Sequence, residues 1–120
     1  MHPYRSHEGI CLRLFLGEAE EWQGQPLYQA LIERAWQHGI KGATVLRATE
    51  GFGPEHHLSS TRLVDISDNL PIVIEMVDHY ERIETLLPEL DQVVQRGMIT
   101  MTPVTIIEGE RRTTVDEREA

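Results

Sequence analysis

The chain has 120 residues, 40% of them hydrophobic, which suits one compact domain with its own core. A formal net charge of −9 argues against non-specific binding to nucleic acid or to an anionic membrane, while leaving room for a locally basic nucleotide site. The single cysteine, Cys11, excludes an intrachain disulfide, and no apolar run approaches the roughly 20 residues of a membrane span, so a cytoplasmic location is expected.

Residues 1–9 are polar, carry no signal-peptide hydrophobic region and read as a flexible leader. Ile10, Leu12, Leu14 and Leu16 then alternate with Cys11, Arg13 and Phe15, which predicts a strand with one strongly buried face. Residues 17–24 read as an acidic loop. Pro26 fits the first position of a helix, where its missing N–H costs nothing. Leu27, Ala30, Leu31 and Ala35 form the apolar stripe of that helix, and Gly39 fits its C-terminal cap. Residues 43–50 predict a second strand. Residues 51–69 predict mostly loop, with 62–66 a candidate continuation of a hairpin arm.

Residues 71–77 form a nearly continuous apolar run, the pattern of a buried third strand. Ile83, Leu86, Leu87, Leu90, Val93 and Val94 follow helical spacing up to Gly97. Pro88 kinks this helix or marks a fresh first turn, because its ring clashes with the preceding turn. Residues 99–107 predict the last strand, with Pro103 indicating an edge position or a bulge. Residues 108–120 read as a charged, mobile tail, which leaves 10–107 as the folded domain.

The order strand, helix, strand, strand, helix, strand is the βαββαβ pattern of an α+β, ferredoxin-like domain, with two helices on one face of a four-stranded antiparallel sheet. The chain offers no third helix to cover the other face, so burial against sister subunits is expected.

The chemistry-bearing residues gather around the second and third strands. Gly51-Phe52-Gly53 opens a polar stretch of 16 residues, 54–69. Gly51 and Gly53 suit either a nucleotide cleft that offers backbone N–H groups or an ordinary hairpin bend. Glu75 lies inside an apolar strand and needs a partner: a ligand's amino or hydroxyl group, or a salt bridge, with the subunit interface as one place for it, to Arg47 or Arg13. Arg47 is the best placed of the arginines Arg47, Arg62, Arg96, Arg111 and Arg112 for a charge-assisted phosphate contact, since its strand leads to the glycine turn. His56 and His57 are an alternative metal site, with one imidazole per subunit around a threefold axis, or simply part of a solvated loop. Cys11 reads as buried and inert. No hydrolase, kinase or dehydrogenase signature is present, so a binding protein is expected rather than an enzyme.

Several motifs, taken in order, carry a family resemblance: Leu14-Phe15-Leu16-Gly17-Glu18, Trp22-Gln23-Gly24-Gln25-Pro26-Leu27-Tyr28, Gly42-Ala43-Thr44-Val45-Leu46-Arg47, Gly51-Phe52-Gly53, Leu70-Pro71-Ile72-Val73-Ile74-Glu75-Met76-Val77-Asp78 and Leu87-Pro88-Glu89-Leu90-Asp91. In these the chain resembles the PII-like proteins, and more closely the family called domain of unknown function 190. The resemblance implies a PII-like homotrimer that binds adenine nucleotides in clefts between subunits. It also implies a long loop, here 54–69, that changes conformation and contacts a membrane transporter or an enzyme. Thr44 matches the threonine near the nucleotide base, Gly51 and Gly53 the glycines at the foot of the long loop, and Glu75 and Val77 the third-strand pair near the base. The chain departs from the PII pattern before its last strand. There Gln95-Arg96-Gly97-Met98 replaces a glycine- and lysine-rich phosphate loop, so a PII-type triphosphate site is not implied.

Overall fold

A computed structural model of the chain describes residues 4–54, 59–60 and 69–109. Four long strands, Tyr4–Gly17 (β1), Gly42–Arg47 (β2), Pro71–Asp78 (β3) and Met98–Gly109 (β4), form one antiparallel sheet in the order β2-β3-β1-β4. Helix Leu27–Gln37 (α1) follows β1. The second helical segment, between β3 and β4, comprises Tyr80–Leu86 (α2), a 3-10 turn at Leu87–Leu90 and Asp91–Arg96 (α3). The βαββαβ order and the ferredoxin-like architecture therefore stand.

Local chemistry sets the ends of α1. Trp22 and Gln25 pair across the two-residue turn Gln23-Gly24, in which both residues have positive φ, as a tight hairpin requires. This hairpin delivers Pro26, at φ −56°, to the start of the helix. The helix ends where Gly39 adopts φ 70°. The Gly39 N–H donates to the Trp36 carbonyl at 3.0 Å and the Ile40 N–H to the Ala35 carbonyl at 3.0 Å, the paired bonds of a Schellman cap.

The core lies between the sheet and the helices. Leu12, Leu14 and Leu16 of β1 and Ile72, Ile74 and Met76 of β3 meet Leu27, Leu31 and Ala35 of α1, and Ile83, Leu86, Leu90 and Val93 of the second helical segment. Pro88 opens the 3-10 turn, as its missing N–H and fixed φ favour. That turn advances by about three residues per turn and shifts the phase of the apolar stripe. Val93 is consequently buried while Val94, expected on the same stripe, is 63% exposed.

Both ends of the predicted domain need correction. Residues 4–9, expected as a flexible leader, extend β1, and Glu108 and Gly109, expected in the tail, extend β4. The two extensions pair with each other, from Tyr4 opposite Gly109 to Gly9 opposite Val104, while β3 stops opposite Ile10. Main-chain ladder bonds hold this two-stranded arm, and they require no apolar alternation for a sequence reading to detect. The second strand ends at Arg47 rather than at residue 50; Glu50–Gly51 instead pairs with Ser59–Ser60 in a separate short ribbon. The expected acidic loop at 17–24 contains one arm of the hairpin that precedes α1. Pro103 lies on β4, an edge strand, as expected. The candidate arm at 62–66 falls outside the described residues. Among the described residues no helix is long and apolar enough to cross a membrane.

Candidate functional site

The sheet face opposite the helices carries a charged and polar row, flanked on one side by an apolar row and on the other by a row of small and mixed residues. The strand registers align Thr44, Glu75, Arg13 and Thr100 across β2, β3, β1 and β4. On one side of this row lie Leu46, Val73, Phe15 and Met98; on the other lie Gly42, Val77, Cys11 and Thr102. Among the described residues no element covers this face. Leu46 and Met98 are correspondingly 48% and 44% exposed, whereas Cys11 at the centre is buried by its neighbours.

Within the polar row, the Arg13 Nε–H donates to Glu75 Oε2 at 2.8 Å. The carboxylate that the sequence left in need of a partner thus finds it in the same chain, on the adjacent strand. This hydrogen bond is the chief reason why the Arg13 guanidinium is held above its ordinary value.

A cleft of about 120 Å³ opens at the end of the sheet where β1 finishes and β4 begins. Its walls are residues 15–17, the glycine turn at 52–54 and residues 96–98, with Asn69 and Pro71 between them. Hydrogen bonds pin the segment that enters β3: the Ala19 N–H donates to Asn69 Oδ1 at 2.9 Å, and the Glu18 N–H donates to the Leu70 carbonyl at 2.8 Å. Gly97 is required where it stands. A Cβ there would lie 2.2 Å from the Phe15 carbonyl oxygen, closer than any side chain tolerates. Its N–H donates to the Val93 carbonyl, so it closes α3 instead of serving a phosphate.

The cleft is chemically asymmetric. Arg96 is exposed and makes no ion pair among the described residues, so it presents a free guanidinium to an anion. Glu20 Oε2 accepts from the Gly17 N–H at 2.8 Å, whereas its Oε1 is buried with no hydrogen-bond partner among the described residues. An unmatched buried oxygen of this kind is costly, and a donor brought to the cleft would relieve it. Phe15, Phe52 and Met98 add apolar surface. A second hollow of about 250 Å³, between α1 and the 3-10 turn, is lined by Leu27, Leu31 and Trp22 with Arg34 over the indole at 5.3 Å; it contains none of the candidate binding residues expected from the sequence.

The structure divides the expected site residues into groups. Thr44 and Glu75 are direct cross-strand partners on the open face, and Val77 lies one row away on the same face. Gly53 lines the cleft, and Gly51 sits just outside it against Pro71. Arg47 does not join Thr44: three residues along the strand, it points to the other side of β2, where its Nη2–H donates to Glu18 Oε2 at 2.5 Å. His56, His57, Arg62, Arg111 and Arg112 lie outside the described residues. Sequence reading missed Glu20 and Asn69, whose importance comes from contacts with distant segments that no local pattern announces.

Solved structures share this fold. One is a nitrogen regulatory PII-like protein, CPII, from Thiomonas intermedia K12, solved with ADP, AMP and bicarbonate. It is 18% identical, with a TM-score of 0.61 over 88% of this chain and 92% of that one. Another is a putative PII-like signaling protein from Thermus thermophilus, 16% identical, with a TM-score of 0.55 over 85% of this chain and 90% of that one. At such identities the likeness shows the fold alone: the chain has the PII-like fold.

Sequence relatives are nearer. The chain is 38% identical over 96 residues to a UPF0166 protein of Aquifex aeolicus, covering 80% of this chain and 90% of the relative. It is 32% identical over 100 residues to UPF0166 protein MJ1524 of Methanocaldococcus jannaschii, covering 82% and 92%. Residues 9–106, nearly the whole sheet with its helices, match the family model DUF190, described as "Uncharacterized ACR, COG1993", and it is to this family that the chain belongs.

Proposed function

We propose that the chain is a PII-like regulator, acting by binding rather than by turnover, whose effector is an adenine nucleotide carrying fewer phosphates than ATP. The observation that carries this reading is the convergence of three distant segments, the end of β1, the glycine turn at 52–54 and Arg96-Gly97, around one open cleft. Arg96 supplies one exposed cation, enough for a mono- or diphosphate and short of the cluster that a triphosphate demands. Phe15, Phe52 and Met98 offer apolar surface to a flat base, and Glu20 Oε1 offers an acceptor to its amino group or to a ribose hydroxyl. CPII, the PII-like neighbour of the same fold, was solved with ADP and AMP.

The uncovered face with Leu46, Val73, Phe15 and Met98 supports a homotrimer in which three sheets cover one another and a neighbouring subunit completes the cleft. Thr44, Glu75 and Val77 would then line the site from the adjoining face. Effector binding would change the conformation of the segment 54–69, and this segment would change affinity for a cytoplasmic enzyme or a membrane transporter. The effector shifts the equilibrium by its differential affinity for the two loop states.

Isothermal titration calorimetry with ADP, AMP and ATP, alongside light scattering of the eluting protein, tests this reading. The expected result is a trimer that binds ADP or AMP, with Arg96→Ala weakening binding by about 10-fold, the loss of one charge-assisted contact. A monomer that binds none of the three nucleotides at millimolar concentration would overturn it.

A further inference from the structure

A second constellation lies away from the cleft, where the two-stranded arm meets the start of α2. His7 of β1 and His79, the residue that caps α2, come from positions 72 apart in the chain, yet their Nδ1 and Nε2 atoms face each other at 3.1 Å. Their ring centroids are 4.5 Å apart. His7 Nε2 lies 3.1 Å from Glu108 Oε1, and the other oxygen of Glu108 accepts from Lys41 Nζ at 2.9 Å. The geometry points to a divalent transition-metal site, of zinc, copper or nickel class, bridged by His7 Nδ1 and His79 Nε2. It is independent of the nucleotide reading.

Three features carry the inference. First, the carboxylate on His7 settles its tautomer. Glu108 Oε1 lies 3.1 Å from His7 Nε2 and its Oε2 faces the Lys41 ammonium at 2.9 Å, so the carboxylate accepts, His7 Nε2 carries the proton and Nδ1 presents its lone pair. A carboxylate behind one imidazole nitrogen is the arrangement that orients and strengthens a histidine ligand. Second, the distance fits. Two nitrogens at about 2.0–2.1 Å from one tetrahedral metal lie roughly 3.3 Å apart, a few tenths of an ångström from the observed separation.

Third, both ligands stand on anchored backbone. His7 is inside the β1–β4 ladder, opposite Ile106. The His79 N–H donates to Asp78 Oδ1 at 2.6 Å, and Asp78 also accepts from the Lys41 N–H at 2.8 Å and Arg82 Nε at 3.1 Å. Asp78 is thereby committed to its structural partners. In the metal-free chain His79 donates its Nε2–H to His7; metal entry displaces that proton, which His79 takes up on Nδ1 from solvent exchange.

No third imidazole, thiol or carboxylate joins the pair among the described residues, so the remaining positions fall to water or a small anion. Such a site is open and exchangeable, unlike a closed structural zinc site. The charges packed around it, Glu108 and Lys41 on one side and Asp78 and Arg82 on the other, balance, so a cation meets no net repulsion.

The test uses the full chain without a polyhistidine tag, stripped of metal and titrated with Zn²⁺ by calorimetry and with Co²⁺ by visible absorption. We expect one equivalent per chain in wild type and in a His56→Gln/His57→Gln variant. Binding should weaken at least 10-fold in His7→Gln and in His79→Gln, and by about 10-fold in Glu108→Gln. Imidazole nitrogen resonances of His7 and His79 in wild type should move together on Zn²⁺ addition, a readout that needs no variant to fold. Binding unchanged in His7→Gln and His79→Gln, binding lost only in the His56/His57 variant, or no binding at millimolar Zn²⁺ would each overturn the site.

Discussion

Arg13 and Glu75 face each other across β1 and β3, Nε to Oε2 at 2.8 Å, in the one polar row of an otherwise largely apolar sheet face. Their side chains are 39% and 33% exposed in the single chain, so within one subunit the pair contributes little to folding. Assembly is a different matter. If sister sheets cover this face, removing one partner strands the other charge in a dry interface. Glu75→Ala is therefore expected to lower the melting temperature of the assembled protein clearly, and to leave a dilute, dissociated chain almost unchanged. Melting curves across a hundredfold range of protein concentration distinguish the two. A small shift that does not depend on concentration would mean that the row stays wet.

Gly97 and Gly53 both border the cleft but differ in what a methyl group would meet. At Gly97 the new Cβ would lie 2.2 Å from the Phe15 carbonyl, while at Gly53 nothing lies within 4 Å. Gly97→Ala should destabilise by about 1–3 kcal/mol, the range for forcing a group into packed structure. Gly53→Ala should leave folding within about 0.5 kcal/mol of wild type. Urea unfolding of the two variants, side by side, checks the contrast.

Acid should loosen the chain in a defined direction. Glu89 is held below its ordinary value of 4.5, chiefly by its hydrogen bond with His38, and Glu108 is held below 4.5 chiefly by Lys41. A carboxylate depressed on folding stabilises the native state above its unfolded value and loses that contribution as pH falls through its folded value. Both contributions are therefore present at neutral pH and fade below pH 4.5. The urea midpoint should fall from pH 5 to pH 3, and a Glu89→Gln/Glu108→Gln variant should show a shallower fall over the same range.

Leu90 joins the 3-10 turn to the core and is fully buried, whereas Trp36 on α1 is 85% exposed. Leu90→Ala should cost about 2–5 kcal/mol, the range for emptying a packed site. Trp36→Ala should change stability by less than about 0.5 kcal/mol despite removing a larger side chain. A comparable loss at Trp36 would show that this surface packs against another subunit.

Much of this molecule can be read from local pattern. The alternation of Leu12, Leu14 and Leu16, the stripe of Leu27, Ala30, Leu31 and Ala35, and the turn residues Pro26 and Gly39 act over a few residues, and each element they signal is present. Their order leads to the ferredoxin-like sheet because few topologies suit it. Pro88 likewise announced the break in the second helical segment, though not the change of phase that exposes Val94.

What local pattern could not supply was pairing at a distance. Arg47 and Thr44 share a strand, yet an odd separation of three residues sends them to opposite faces, and Glu18 claims the arginine. Residues 4–9 are polar and still form a strand, because residues of β4 about a hundred positions later satisfy their backbone. The meeting of Gly53 with Arg96, of Asn69 with Ala19, and of His7 with His79 likewise follows from strand register and helix placement. Strand register depends on the whole buried face at once, so no short segment of sequence contains it.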